Sequence, residues 1–95
     1  MSINPNNVAI IEPIFNLFYK QTEKYDPDHS LGVFLDCAFK AKAYFKQYYP
    51  NINMSYAASV MVDLYNRKLP IRMDWARSAN IYHLIMTYDS IDQFQ

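Results

Sequence analysis

One cysteine, Cys37, and two histidines, His29 and His83, are the residues best suited to nucleophilic or soft-metal chemistry in this 95-residue chain. A metal centre needs roughly three or four converging ligands, commonly supplied as local pairs such as Cys-x-x-Cys or His-x-x-x-His. Neither spacing occurs. His29 lies in an Asp-rich stretch with Asp26 and Asp28, and His83 stands by itself in a helical segment. Nucleophilic catalysis needs a nucleophile, a base and an orienting group within reach of one another. Cys37 borders an apolar helix face, where a cysteine is ordinarily a small packing residue.

Other catalytic patterns are equally sparse. Loops that cradle phosphates need several glycines, and Gly32 is the sole glycine, which excludes Walker and dinucleotide fingerprints. Close carboxylate pairs occur as Asp26/Asp28 and Asp89/Asp92, both in turn-like or terminal settings suited to solvated side chains. The expectation is therefore a non-enzymatic protein without cofactor or metal.

Two stretches carry binding rather than bond-making character. From Phe39 to Tyr49 lysines alternate with aromatics. Helical spacing turns Phe45 and Tyr48 inward and groups Phe39, Lys42 and Lys46 on one flank, with Leu35 and Tyr49 at its margin. An aromatic beside cations is the composition of an interface hot spot, so Phe39, Lys42, Lys46 and Tyr49 are the candidate partner-binding residues. The second stretch holds Arg67, Lys68, Arg72 and Arg77 around a turn between two helical segments. That arrangement invites comparison with a helix-turn-helix, whose second helix reads DNA through its first residues. The turn is long and contains Pro70, and the following helix is too apolar to lie in a groove. DNA or RNA binding is thus the alternative reading.

Total charge does not favour nucleic acid: nine basic and nine acidic residues cancel. The distribution is uneven. From Lys40 to Arg77 seven bases face two acids, a balance of +5, and the flanks carry −5. Such polarity can hold two helices or two copies together as readily as it attracts phosphate.

These residues must be positioned by helices. With one glycine and no Asn-Gly, tight two-residue hairpin turns have no suitable residues. Strict alternation is missing, whereas helical spacing recurs in four segments. The first runs from about Pro5 to Tyr25, with Val8, Ile11, Phe15, Phe18, Tyr19, Thr22 and Tyr25 on one stripe. Pro13 should break it, because proline removes a hydrogen bond and collides with the preceding turn. The second spans Ser30, its N-cap, to Tyr49, with Leu31, Phe34, Leu35, Ala38, Ala41, Phe45 and Tyr48 inward. The third runs from Asn53 or Ser55 to Lys68, with Ala57, Val60, Met61, Leu64 and Tyr65 inward and an Asp63–Arg67 pair outside. Leu69–Met73 is a connector. The fourth starts at the N-cap Asp74, ends near Asp89 or Ile91, and is apolar around most of its circumference. Trp75, Ala79, Tyr82, Ile85 and Met86 form its stripe, which Ile81, Leu84 and Tyr88 widen. Such a helix is central or shared with another chain. The tail Asp92–Gln95 should fray.

The expected architecture is all-α, a compact bundle of four main helices, or five with a break at Pro13, in one domain over residues 1–95. The 52% apolar content and sixteen aromatic residues exceed what so short a chain can bury. An A/T-rich coding sequence would also raise the Tyr, Phe, Ile, Asn and Lys content, so the tyrosine count alone is a poor guide to function. One cysteine forbids an internal disulfide, and neither a signal peptide nor a run of about 18 apolar residues is visible. A cytoplasmic protein-binding module follows: a small regulator or inhibitor that docks on a protein partner, or a homodimer.

Overall fold

The computed structural model describes residues 4–94, with the backbone alone at Phe94, and shows a helical bundle without strands among those residues. Its four helices are α1 (Val8–Tyr19), α2 (Leu31–Tyr48), α3 (Met54–Lys68) and α4 (Trp75–Thr87). Short 3₁₀ helices follow α1 at Lys20–Lys24 and α4 at Ile91–Phe94. Helix α1 lies against α2 and α3, α4 pairs with α3 and touches α2, and the last 3₁₀ helix returns to α2. No helix among the described residues is long and apolar enough to cross a membrane.

Helix α1 does not break at Pro13. It continues from Val8 to Tyr19 with the proline inside. Ile11, Ile14 and Phe15, on both sides of Pro13, are all buried, so packing outweighs the missing hydrogen bond. The carbonyl that loses its donor belongs to Ala9, and both Ala9 and Pro13 are exposed, so the cost falls on the solvent side. Asn7 caps the helix by accepting from the Ala9 amide at 2.9 Å. The two ends of the expected stripe are outside: Val8 and Tyr25 are both exposed.

An aromatic cluster joins the first three helices. Tyr19 stacks on Phe15 with centroids 5.1 Å apart and meets Phe34 and Tyr65 edge-on. Phe34 and Tyr65 stack at 4.2 Å. The loop before α2 closes this cluster. His29 shares a hydrogen bond with the Tyr19 hydroxyl at 3.2 Å, and its carbonyl accepts from the Tyr65 hydroxyl at 2.6 Å. His29 adopts the left-handed conformation, φ 55°, which a non-glycine residue keeps only where its surroundings hold it. Asp26 secures the turn by accepting from both the amide and the hydroxyl of Ser30. Ser30 stands at the N-cap of α2 but makes no side-chain capping bond.

The inner faces of α2 and α3 follow their spacing, with Tyr48 as the exception at 57% exposed. Asn53 caps α3 through the Tyr56 amide, and Asp63 pairs with Arg67 at 2.9 Å. Helix α4 is not the central helix of the bundle. Ile81 and Ile85 are its only buried residues, and the helix packs at the edge of the bundle. Nor does the described part of the tail fray: Gln93 accepts from the amides of Asp89 and Ser90. Gln95 lies outside the described residues.

Burial holds the Tyr19 and Tyr65 hydroxyls above the ordinary tyrosine range. The folded state therefore keeps protons that the unfolded chain releases near pH 10, so this contribution is intact below about pH 9 and is lost as pH rises. The thermal midpoint should fall on titration from about pH 8 to about pH 11, and less steeply in Tyr65→Phe. A flat midpoint over that range would contradict this account.

Candidate docking surface

The flank read from the sequence as a contact patch is mostly interior. Phe39 is 3% exposed and Lys42 4% exposed, both in the core, and Tyr49 is half-buried against it. Of the four, Lys46 alone is exposed, and it pairs with Asp89 at 3.3 Å. The reason is electrostatic. The Lys42 ammonium donates to the carbonyls of Ile85 and Tyr88, each at 2.7 Å, and pairs with Asp89 at 3.1 Å. These carbonyls belong to the open end of α4, where a helix concentrates unsatisfied acceptors and partial negative charge. Lys42 therefore binds α4, and the candidate patch Phe39, Lys42, Lys46 and Tyr49 does not form an exposed surface.

The basic segment is similarly divided. Arg67 is held by Asp63, and Lys68 by Glu23 at 2.7 Å while its ammonium lies 5.8 Å from the Tyr19 ring centroid. Lys40 pairs with Asp36 at 2.9 Å. Five of the seven bases between Lys40 and Arg77 thus have acidic partners, four of them from the acidic flanks. Arg72 and Arg77 are exposed and form no ion pair among the described residues.

These two arginines frame the most conspicuous surface of the molecule. Ile71 and Trp75 are each 84% exposed. Ile71 is one wall of a hollow of about 350 Å³ lined also by Tyr65, Leu69, Arg72, Met73, Asp74 and Arg77. The local sequence builds this corner. Leu69 and Met73 pack against the core at either end of the connector, and the bend between them at Pro70 lifts Ile71 out. Asn66 accepts from the Met73 amide at 2.7 Å, and Asp74 caps α4 through the Arg77 amide at 2.8 Å. A second hollow, of about 360 Å³, lies between α3 and α4 at Val62, Asn66 and Tyr82 and has a mixed polar lining.

Helical spacing sets Trp75 on the same stripe as Ser78, Tyr82 and Ile85. Ile85 is fully buried, Ser78 and Tyr82 are half-buried, and Trp75 is exposed, so this face runs past the edge of the bundle. Trp75 was legible as a member of the inward stripe. That the stripe overruns its supports was not, because periodicity gives direction around a helix and not the extent of its neighbours.

The remaining reactive residues are engaged in the structure. His29 belongs to the aromatic cluster, and exposed His83 shares a 3.3 Å contact with Thr87. No group of three or more metal-capable side chains occurs among the described residues. Cys37 is buried, its thiol faces the Phe18 carbonyl at 3.4 Å, and burial raises its pKa to about 11.

Two measurements check these assignments. Native Cys37 should react slowly with a thiol reagent near pH 8 and rapidly in denaturant; fast native labelling would show an accessible thiolate. Lys42→Met should cost about 2–4 kcal/mol in urea unfolding, since it strands buried acceptors at the end of α4. Lys46→Met, which removes an exposed arm of the same cluster, should cost under about 0.5 kcal/mol. Equal effects would deny Lys42 its special role.

No family model, curated protein or solved structure matches this chain.

Proposed function

We propose that this protein is a non-enzymatic docking module, a small regulator or inhibitor that binds a protein partner through the corner between α3 and α4. The observation that carries this reading is Trp75, 84% exposed on a stripe that elsewhere enters the core. Tryptophan and arginine are the residue types that most often dominate binding energy at protein interfaces. Trp75 follows directly on Asp74, which with Ile71, Arg72 and Arg77 lines a hollow of about 350 Å³. The hollow fits an apolar side chain, and the Arg72 and Arg77 guanidinium groups, which form no ion pair among the described residues, suit carboxylates beside that anchor.

The chemistry of the corner supports a protein partner more than a nucleic acid. A phosphate backbone would meet Asp74 at the hollow and Glu23 beside the neighbouring Lys68, and five bases of the Lys40–Arg77 segment are already paired. Under the nucleic-acid alternative, Arg67, Lys68, Arg72 and Arg77 would act together, and binding would weaken steeply with salt through counterion release.

The test is affinity capture from native lysate with wild-type protein, Trp75→Ala and Ile71→Ser, each with and without nuclease. Both variants should unfold within about 0.5 kcal/mol of wild type, because the side chains are exposed. A protein retained by wild type should be lost from the variants, with affinity reduced about tenfold or more and no effect of nuclease. Identical capture by all three chains, or capture abolished by nuclease, would reject this function.

A further inference from the structure

We infer that the partner seated on this corner is a second copy of the chain, arranged about a two-fold axis; the inference rests on the docking function proposed for the Ile71–Arg77 surface. The argument begins with charge. Arg72 and Arg77 form no ion pair among the described residues, although the other five bases between Lys40 and Arg77 do. A complementary patch exists on the same molecule. Tyr25 is 70% exposed, and three residues on Asp28 is exposed with no ion pair among the described residues. Asp26 is engaged by Ser30 and Glu23 by Lys68, so Asp28 is the carboxylate of this loop left for an outside cation. Lys24 is the one base within residues 23–28, which together carry −2.

The two patches are neighbours. Tyr65 lines the hollow at the corner, and its hydroxyl donates to the carbonyl of His29, the residue after Asp28. A basic, apolar patch beside an acidic, aromatic one is what a two-fold interface requires, since each contact is then made twice. A half-turn of one copy sets its Tyr25–Asp28 loop against Arg72, Arg77 and the hollow of the other, and the reciprocal contact forms at the same time. Exposed Trp75, Ile71 and Tyr25 offer on the order of 500 Å² of surface per copy. The total, on the order of 1,000 Å², is the size of a weak and reversible interface. A polyanion covering the same face would meet Asp28 and Asp74 as well as the arginines, so the mixed charge favours a protein surface of equally mixed charge.

The single tryptophan makes the test direct. Sedimentation velocity and tryptophan emission are followed together over roughly two decades of protein concentration. Mass should rise from monomer to dimer and stop there, emission should move to the blue in parallel, and added salt should shift both midpoints to higher concentration. The doubly reversed variant Arg72→Glu/Arg77→Glu and the single variant Asp28→Arg should each weaken self-association about tenfold or more. An equimolar mixture of the two variants should dimerise again, because both copies of the contact then pair opposite charges. A strict monomer with unshifted emission at the highest concentration would overturn the inference. So would a dimer indifferent to both reversals, or variants whose mixture stays monomeric. A monomer that still captures another protein through Trp75 would remove the self-association and leave the docking function standing.

Discussion

The ammonium of Lys42 lies 2.7 Å from two carbonyl oxygens at the end of α4 and 3.1 Å from the Asp89 carboxylate, enclosed between α2 and the returning tail. A buried lysine is costly unless its three donors are satisfied, and here each has an acceptor. No buried side-chain polar atom among the described residues lacks a partner. The contact does more than offset desolvation. Helix α4 has only Ile81 and Ile85 fully inside, so apolar packing by itself positions it weakly. Lys42 fixes the far end of α4 to α2, while the Asn66 and Asp74 side chains fix its beginning. The exposed corner is therefore presented by a helix held at both ends and lightly packed between them.

Charge is organised across the fold as well as along the chain. The acids of the two flanks return to the basic middle of the chain: Glu23 to Lys68, Asp36 to Lys40, and Asp89 to Lys42 and Lys46. The hydrogen bonds from Lys42 and Lys46 hold Asp89 below its ordinary pKa, and that from Lys68 does the same for Glu23. The sequence imbalance of +5 against −5 is thus largely spent inside one molecule. Within the basic segment Arg72 and Arg77, both at the hollow, are the bases without an ion pair among the described residues.

Most of the architecture was legible in the pattern of residues. The four helices, the cap at Asp74, the Asp63–Arg67 pair and, Tyr48 apart, the inner faces of α2 and α3 follow from spacing and cap chemistry. The candidate site was legible only in part, because solvation around a helix depends on what packs against it. Leu35, Phe39, Lys42 and Lys46 recur at i, i+4, i+7 and i+11, a stripe that reads equally as an exposed flank or a seat for another helix. A lysine among them argued for solvent. The acceptors that bury it come from residues more than forty positions later, beyond any local signal. Pro13 misled for a related reason: its local penalty is real, but the buried isoleucines and phenylalanine around it belong to the core shared by all four helices.

The slender hold on α4 also sets an order of events under thermal fluctuation. Local opening draws on the elements that bury the least surface, and α4 contributes two side chains to the fully buried core where α2 contributes eight. Its amide protons should therefore exchange with solvent ahead of those in α2, through a partial opening that leaves the Phe15–Tyr19–Phe34–Tyr65 cluster assembled. Any partner that grips the start of α4 closes this path, so occupancy of one small corner registers as slowed exchange along the whole helix.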